Sequence, residues 1–448
     1  MTMKSGKEMD MLRGPLFMKI LIFALPLAAS SILQQLFNSV DVAVVGRFAS
    51  SAALAAVGSN APVISLLVNL FLGLSMGANV VIANHIGQND QMGIRKAVST
   101  VAVISLISGV ALMVLGVCVS RPILTMMGTP PEVIGMAVTY LRIYFLGMPF
   151  IMIYDFGAAI LRSRGDTRRP LYILIAAGVI NTVFNLLFVI VAGMGVAGVA
   201  VATGIANAVS AFLIVRLLRR EPEPYRLRIR DMKIHVKELR PMVQIGLPAG
   251  LQGVIFSISN VAVQSAINGY GAAAVAGSAA ALNFEFYTYY VVEAFNGAAI
   301  SFIGQNYGAG NRDRVRRIFR ICMTMSVGSC ILCAFLFAGC DDFFLNIFST
   351  DPEVHRFGRI RLDTVQAFQA LSCSYEVAGS SLRGMGHSLL PTVIMVFGTC
   401  LFRLVWVYGL CPMFPGFQFL MDIYPVSWII TGTLVLAVWI VVFRRWRP

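Results

Sequence analysis

Apolar residues run through this chain in stretches of roughly 20 or more, with polar residues gathered in short segments between them; residues 16–45, 97–119 and 171–192 are examples. A helix needs about 20 apolar residues to cross the hydrocarbon layer, whereas a membrane barrel would show alternating segments of about 10. The pattern therefore predicts an all-α membrane protein. Spans are expected over 16–47, 53–82, 95–119, 132–161, 169–192, 195–218, 240–267, 273–303, 314–340, 355–382, 388–411 and 423–443, twelve transmembrane helices in all. The first is too long for a signal-peptide core and has no small-residue exit, so it is expected to be retained.

Composition agrees. Of the 448 residues, 58% are hydrophobic and 12% charged, with a mean hydropathy of +0.79, against about 25% charged in soluble chains. A net charge of +14 would point to nucleic acid in a soluble protein, but its placement gives it another meaning. Positive residues collect at Lys4, Lys7, Arg13 and Lys19, at Arg95 and Lys96, over 162–169, 216–240 and 312–320, at Arg383, and over 444–447. The intervening loops hold Arg47, Arg121 and the mixed segment 351–361. This alternation is the positive-inside signature, and it predicts a multi-pass plasma (inner) membrane protein with cytoplasmic N- and C-termini. It supports neither a nucleic-acid nor a nucleotide partner. Residues 219–240, with Glu221, Pro222, Glu223 and Pro224, read as a cytoplasmic linker between lobes 1–218 and 241–448.

The two halves repeat at an offset of about 221 residues. Leu25-Pro26-Leu27-Ala28 matches Leu247-Pro248-Ala249-Gly250, and Asn38 falls on Asn260. Ile86-Gly87-Gln88-Asn89 recurs as Ile303-Gly304-Gln305-Asn306. The segment from Asp155 through Arg162 and Gly165 to Pro170 matches that from Glu376 through Arg383 and Gly386 to Pro391. Six spans per copy put both copies in one orientation, related by an axis along the membrane normal, an arrangement that transporters use.

Other motifs carry less. The run from Gly304 to Gly310 lacks the Gly-Lys-Ser/Thr ending of a phosphate loop and follows a membrane helix, so it reads as a tight cytoplasmic turn. Cys330 and Cys333 have C-x-x-C spacing, but without a second pair they read as packing residues. The four histidines are scattered, and no metal site, cofactor or enzymatic constellation is indicated.

Ionisable residues inside spans are costly and mark function. Gln34, Asn38 and Asp41 stand at i, i+4 and i+7 and form one stripe on the first span, which Pro26 is expected to kink. A stripe of this kind should face a cavity, where the Asp41 carboxylate takes a proton or meets water or Na⁺; a structural helix-helix bond is the alternative. Asn181, Asn185 and Thr203 on the fifth and sixth spans can join it. Asp155 and Glu376 are repeat equivalents, each seven residues before an arginine that marks the cytoplasmic edge, and are secondary candidates along with Arg403. Span eight carries Glu285 and Glu293 among Phe284, Phe286, Tyr287, Tyr289, Tyr290 and Phe295. Carboxylates among aromatic faces suit a lipophilic cation, although aromatic residues also serve as packing.

In order and duplication, these motifs resemble the multidrug and toxic compound extrusion (MATE) family, bacterial type: Phe37-Asn38-Ser39-Val40-Asp41, the two Ile-Gly-Gln-Asn runs, Leu161-Arg162 with Gly165-Asp166-Thr167, and Leu382-Arg383-Gly384-Met385-Gly386. The resemblance covers about residues 12–445. It implies two six-helix lobes, alternating access, and export of small organic cations or amphipathic drugs in exchange for H⁺ or Na⁺. It also implies ion coupling at Asp41 with Asn181 and Thr203, to which the residues themselves add Asn38 and Asn185, and leaves Gln34, Glu285, Tyr289 and Glu293 as the candidate substrate contacts. Many members have an aspartate where Asn185 stands, and sodium-coupled members have one at the place that Ser372 matches; both departures leave the coupling ion open. A lipid-linked oligosaccharide flippase is the alternative, whose cavity would be richer in arginine than a chain with Arg403 as nearly its one clear intramembrane arginine.

Overall fold

The structure is a computed structural model that describes residues 9–447; Lys4 and Lys7, part of the expected N-terminal basic cluster, lie outside the described residues. The helices are α1 Leu16–Phe48, α2 Ser51–Gly87, α3 Gln91–Met126, α4 Pro131–Leu146, α5 Met148–Ser163, α6 Arg168–Leu186, α7 Gly195–Arg219, α8 Val236–Asn268, α9 Ala272–Gly308, α10 Arg312–Phe337, α11 Asp341–Asn346, α12 Pro352–Arg361, α13 Cys373–Gly384, α14 Leu389–Met395, α15 Phe402–Val405, α16 Phe417–Met421 and α17 Ile423–Arg445. Side chains start several of them: Ser50 accepts from the Ala53 N–H, Asp90 from Gly93 and Asp351 from Glu353. The repeat is visible in the backbone. Gly165 and Gly386 both take positive φ, +97° and +84°, and each turn is closed from Leu161 or Leu382 by the N–H of Asp166 or His387.

Among the described residues, nine helices are long and apolar enough to cross a membrane, ten if α4 and α5, bent by 46°, count as one span. The expected spans eight and ten fall outside that number for a physical reason. Span eight is α9, whose middle carries Asn283, Glu285, Glu293 and Asn296. Span ten is not one helix: a π-helical turn at Leu362–Gln366 and a 3-10 turn at Gln369–Ser372 separate α12 from α13. Expected span eleven is one continuous helix over Leu389–Leu410 that carries π turns at Val396–Leu401 and Trp406–Leu410. The run expected as a turn at 304–310 is helical through Gly308.

The chain forms two compact units that do not follow the expected boundaries at 218 and 241. One contains Ala29–Val254, the other Met11–Ala28 and Ile255–Pro448. Each unit is thus one repeat with the front of its first helix exchanged. In the first unit the front of α8 lies on α2, where a Cβ on Gly73 would overlap the Gly246 carbonyl and the Gly250 amide, and one on Gly77 the Met242 carbonyl. Two Gly-x-x-x-Gly pairs, Gly73 with Gly77 and Gly246 with Gly250, bring these backbones together. In the second unit the front of α1 lies on α9: the Phe23 and Phe302 rings meet edge to face at 5.5 Å, and Asn306 donates to the Met11 carbonyl at 3.1 Å. The linker belongs to the first unit and is ordered there. Glu221 is buried and accepts from Arg164 and Arg169, and Arg164 also lies over the Tyr225 ring at 4.5 Å.

Candidate functional site

In the first unit, α1, α6 and α7 converge on Asp41. Gly178 makes this possible, since a Cβ there would overlap the Phe37 ring and push α6 off α1. One turn beyond the carboxylate, Val44 and Val45 pack with Val57, Tyr140, Val189, Val196 and Val199, fixing the end of α1 against α2, α4 and α7. Asp41 is 8% exposed. Its Oδ1 accepts from the Asn185 amide, and its Oδ2 faces the Thr203 hydroxyl at 3.4 Å. The Asn185 amide also donates to Asn181 Oδ1 at 3.2 Å, and the Asn181 amide donates to Thr203 Oγ1 at 3.2 Å.

Every partner of this carboxylate is neutral, and no basic side chain pairs with it among the described residues. Asn185 Oδ1 is buried without a hydrogen-bond partner. The result is a buried carboxyl group among neutral amide and hydroxyl groups in a membrane helix bundle. Such a group is costly ionised and alone, and binding a proton or a small cation relieves the cost. Gln34 and Asn38, expected on the same stripe, are exposed and are not brought to Asp41. The turn from Asn38 to Asp41 rotates only the aspartate inward. Asp155 lies half-buried on α5, apart from this network.

The second unit holds a different chemistry. Glu285 was expected as a free carboxylate for a cation; instead Arg361 grips it at two points, Nε to Oε1 at 2.6 Å and Nη2 to Oε2 at 3.0 Å, with both side chains buried. The expectation fails because Arg361, read as part of an external loop, is the last residue of α12 and is buried against α9. Gly277 and Gly358 let α9 and α12 touch, a Cβ on Gly277 overlapping the Val354 carbonyl. The π turn that follows then directs Gln366 to Thr288 at 2.9 Å, and beyond it Gln369 reaches the Glu285 carbonyl at 3.2 Å. Of the aromatic residues expected around a ligand, Phe284 is core, within 5.0 to 5.8 Å of Phe337, Phe344 and Phe348. Tyr289 is exposed.

Further along α9, the Asn296 amide bridges Glu293 Oε2 at 3.2 Å and Glu376 Oε2 at 3.3 Å, bringing together two candidates that the sequence kept apart. Arg383, expected at a solvated edge, is buried and reaches the Met395 sulfur at 3.7 Å. Arg403 is buried, donates to Asn260 Oδ1 at 3.1 Å and lies over Tyr424 at 4.6 Å. Counted from Pro170 and Pro391, with one residue added by the π turn at Val396–Leu401, Arg403 takes the register of Asn181. The second repeat therefore places a guanidinium where the first has the Asn181 amide. Arg361, Asn296 and Tyr424 were not singled out from the sequence; the Asn296 and Tyr424 positions carry no motif that would mark them.

The MatE family model matches the chain twice, over residues 26–187 and 248–408. The probable multidrug resistance protein YoeA of Bacillus subtilis is 29% identical over 392 residues, covering 84% of this chain and 83% of its own. The probable multidrug resistance protein NorM of Thermotoga maritima is 25% identical over 388 residues, 84% and 82% of the two chains. A crystal structure of MATE in the bent conformation superposes with a TM-score of 0.91 at 21% identity, covering 98% of both chains. A MOP superfamily transporter from Pyrococcus furiosus gives 0.90 at 21% identity over 99% of both; these likenesses establish the fold. With its model matched once in each repeat and spanning most of the sequence, the MatE family of multidrug and toxic compound extrusion transporters is the family to which this chain belongs.

Proposed function

We propose that this protein exports cationic or amphipathic organic compounds across the plasma membrane in exchange for H⁺ or Na⁺, by alternating access. The observation that carries the exchange step is the Asp41 pocket, a buried carboxylate with neutral partners only and an unpartnered Asn185 oxygen beside it. Asp41 with Asn181, Asn185 and Thr203 is the coupling site on this reading. Substrate export is supported by the relatives' names as multidrug resistance proteins. The substrate contacts on the second unit are then Tyr289 and Glu293, with Glu285 removed from the set by its pairing to Arg361. Twelve crossings follow if α9 and the broken α12–α13 stretch also span, and both termini lie in the cytoplasm with the basic linker.

The test is ion release from proteoliposomes. With purified protein in sealed vesicles, adding ethidium should release protons, or Na⁺ when the lumen is loaded with it, and Asp41→Asn should release neither. Ethidium movement with no ion flux from wild type under either gradient would overturn the exchange. Translocation of a fluorescent polyprenyl-phosphate lipid in the same vesicles, without ethidium movement, would favour the flippase. A thiol placed at Arg226 in an otherwise cysteine-free protein should resist an impermeant reagent added to intact cells; external labelling would reverse the topology.

A further inference from the structure

A cleft of about 290 Å³ opens in the first unit between the start of α3 and the linker. It is lined by Arg95, Lys96, Arg226, Arg228, Arg230 and Lys233, against one carboxylate, Asp231. The linker is fastened to α3 to make it. Ser99 Oγ accepts from the Lys233 N–H at 2.8 Å and donates to the Asp231 carbonyl at 2.9 Å. Thr100 Oγ1 accepts from the His235 N–H at 3.0 Å, and Arg95 pairs with Asp231 at 2.7 Å. The walls of the cleft are therefore set by hydrogen bonds rather than by a free loop.

Its charge is not balanced. Arg228 is engaged by Glu223 at 2.5 Å and Arg95 by Asp231. Lys96, Arg226, Arg230 and Lys233 have no carboxylate within ion-pair distance among the described residues. Four like charges around one cleft repel each other, and an anion relieves that repulsion. The sequence between them alternates basic and apolar residues, Arg226-Leu227-Arg228-Ile229-Arg230 and then Met232-Lys233-Ile234. Ile229, Ile234 and Met92 are exposed beside the cations. Exposed aliphatic side chains between cations suit the boundary of headgroups and acyl chains better than bulk water.

We propose that this cleft binds the phosphodiester headgroup of an anionic phospholipid from the adjacent leaflet. The cations hold the phosphate, while Met92, Ile229 and Ile234 enter the acyl boundary, so that the lipid clamps the linker to α3. The shared chemistry, a phosphate ester, could also come from a soluble metabolite; the exposed aliphatic residues favour the lipid.

The experiment is the thermal unfolding midpoint and lipid retention of the detergent-purified protein, titrated with phosphatidylglycerol, with phosphatidylcholine, or with soluble glycerol phosphate. Phosphatidylglycerol should raise the midpoint and remain bound, and the other two should not. Lys96→Gln with Arg230→Gln should weaken the phosphatidylglycerol effect on the order of tenfold or more, while Lys96→Arg with Arg230→Lys keeps it. Arg317→Gln with Arg320→Gln, exposed cations of the second unit, should also keep it. The proposal is overturned if the cleft variant binds phosphatidylglycerol as wild type does. It is equally overturned if the distant pair weakens binding to the same extent, which would mean diffuse attraction, or if glycerol phosphate protects as well as the lipid.

Discussion

Glu285 and Arg361 meet side by side inside the second unit, Nε to Oε1 at 2.6 Å and Nη2 to Oε2 at 3.0 Å, and neither side chain is solvated. Each charge is tolerable there because of the other. Removing one strands its partner, a loss of about 3–5 kcal/mol for buried pairs, whereas replacing both by apolar residues of similar volume is often neutral. Glu285→Leu and Arg361→Met should each lower the unfolding temperature in detergent strongly, and the double variant should recover most of the loss. Additive losses in that cycle would show that the two residues do not act as a pair.

Asp41 is predicted to be essential for exchange and dispensable for folding. Asp41→Asn keeps the shape and the amide contacts but removes the ionisable group, so it should abolish gradient-driven efflux while insertion and unfolding temperature change little. Asn185→Asp adds a second carboxylate to the same pocket and should shift the dependence of efflux on pH or Na⁺ rather than abolish it. Wild-type efflux by the Asp41→Asn protein would remove Asp41 from the mechanism.

The hydrophobic pattern made the helices, the repeat and the Asp41 neighbourhood legible, because each depends on period and duplication along one chain. Gln34 and Asn38 show the limit: a stripe by spacing tells which residues share a face, not which of them rotates into the bundle. The π turns at Leu362–Gln366 and Val396–Leu401 were invisible because each is an extra residue in a helix with no unusual composition. The first aims Gln366 at Thr288, and the second adds the residue that brings Arg403 into the Asn181 register. The exchanged fronts of α1 and α8 could not be read either, since repeats in sequence say nothing of which copy a helix half packs on.

Asp90 begins α3, accepting the Gly93 N–H at 2.9 Å, and that bond, together with the nearby His85, holds its carboxyl below the usual carboxylate range. A carboxylate whose folded value is depressed adds stability that is complete above its unfolded value, about 3.9, and is lost as pH falls through the lower, folded value. Asp90→Asn keeps the cap oxygen but not the charge, so it should be somewhat less stable than wild type at neutral pH, and the difference should close as wild type is acidified below about pH 4. Asp90→Ala should cost about 1 kcal/mol throughout the neutral range. Midpoints of thermal unfolding across pH 3 to 8 would check both, and an alanine variant as stable as wild type at pH 7 would show that the cap contributes nothing.

The last prediction concerns glycine in α2, where two positions on one helix should respond in opposite directions. At Gly73 the α8 backbone leaves no space, since a Cβ would overlap the Gly246 carbonyl and the Gly250 amide. Backbone cannot move aside as a side-chain tip can, so Gly73→Val and Gly246→Leu must push the front of α8 away. Overpacking of this kind costs typically 1–3 kcal/mol, and more where the neighbour is rigid. At Gly58, a Cβ would have nothing within 4 Å, and alanine restricts the unfolded chain; Gly58→Ala should be neutral or stabilising by about 0.5–1 kcal/mol. Measured side by side as unfolding temperature and monodisperse yield in detergent, Gly73→Val and Gly246→Leu should fall well below wild type while Gly58→Ala does not. If Gly73→Val were as stable as Gly58→Ala, the close approach of α2 and the front of α8 would be refuted, and with it the assignment of that helix half to the first unit.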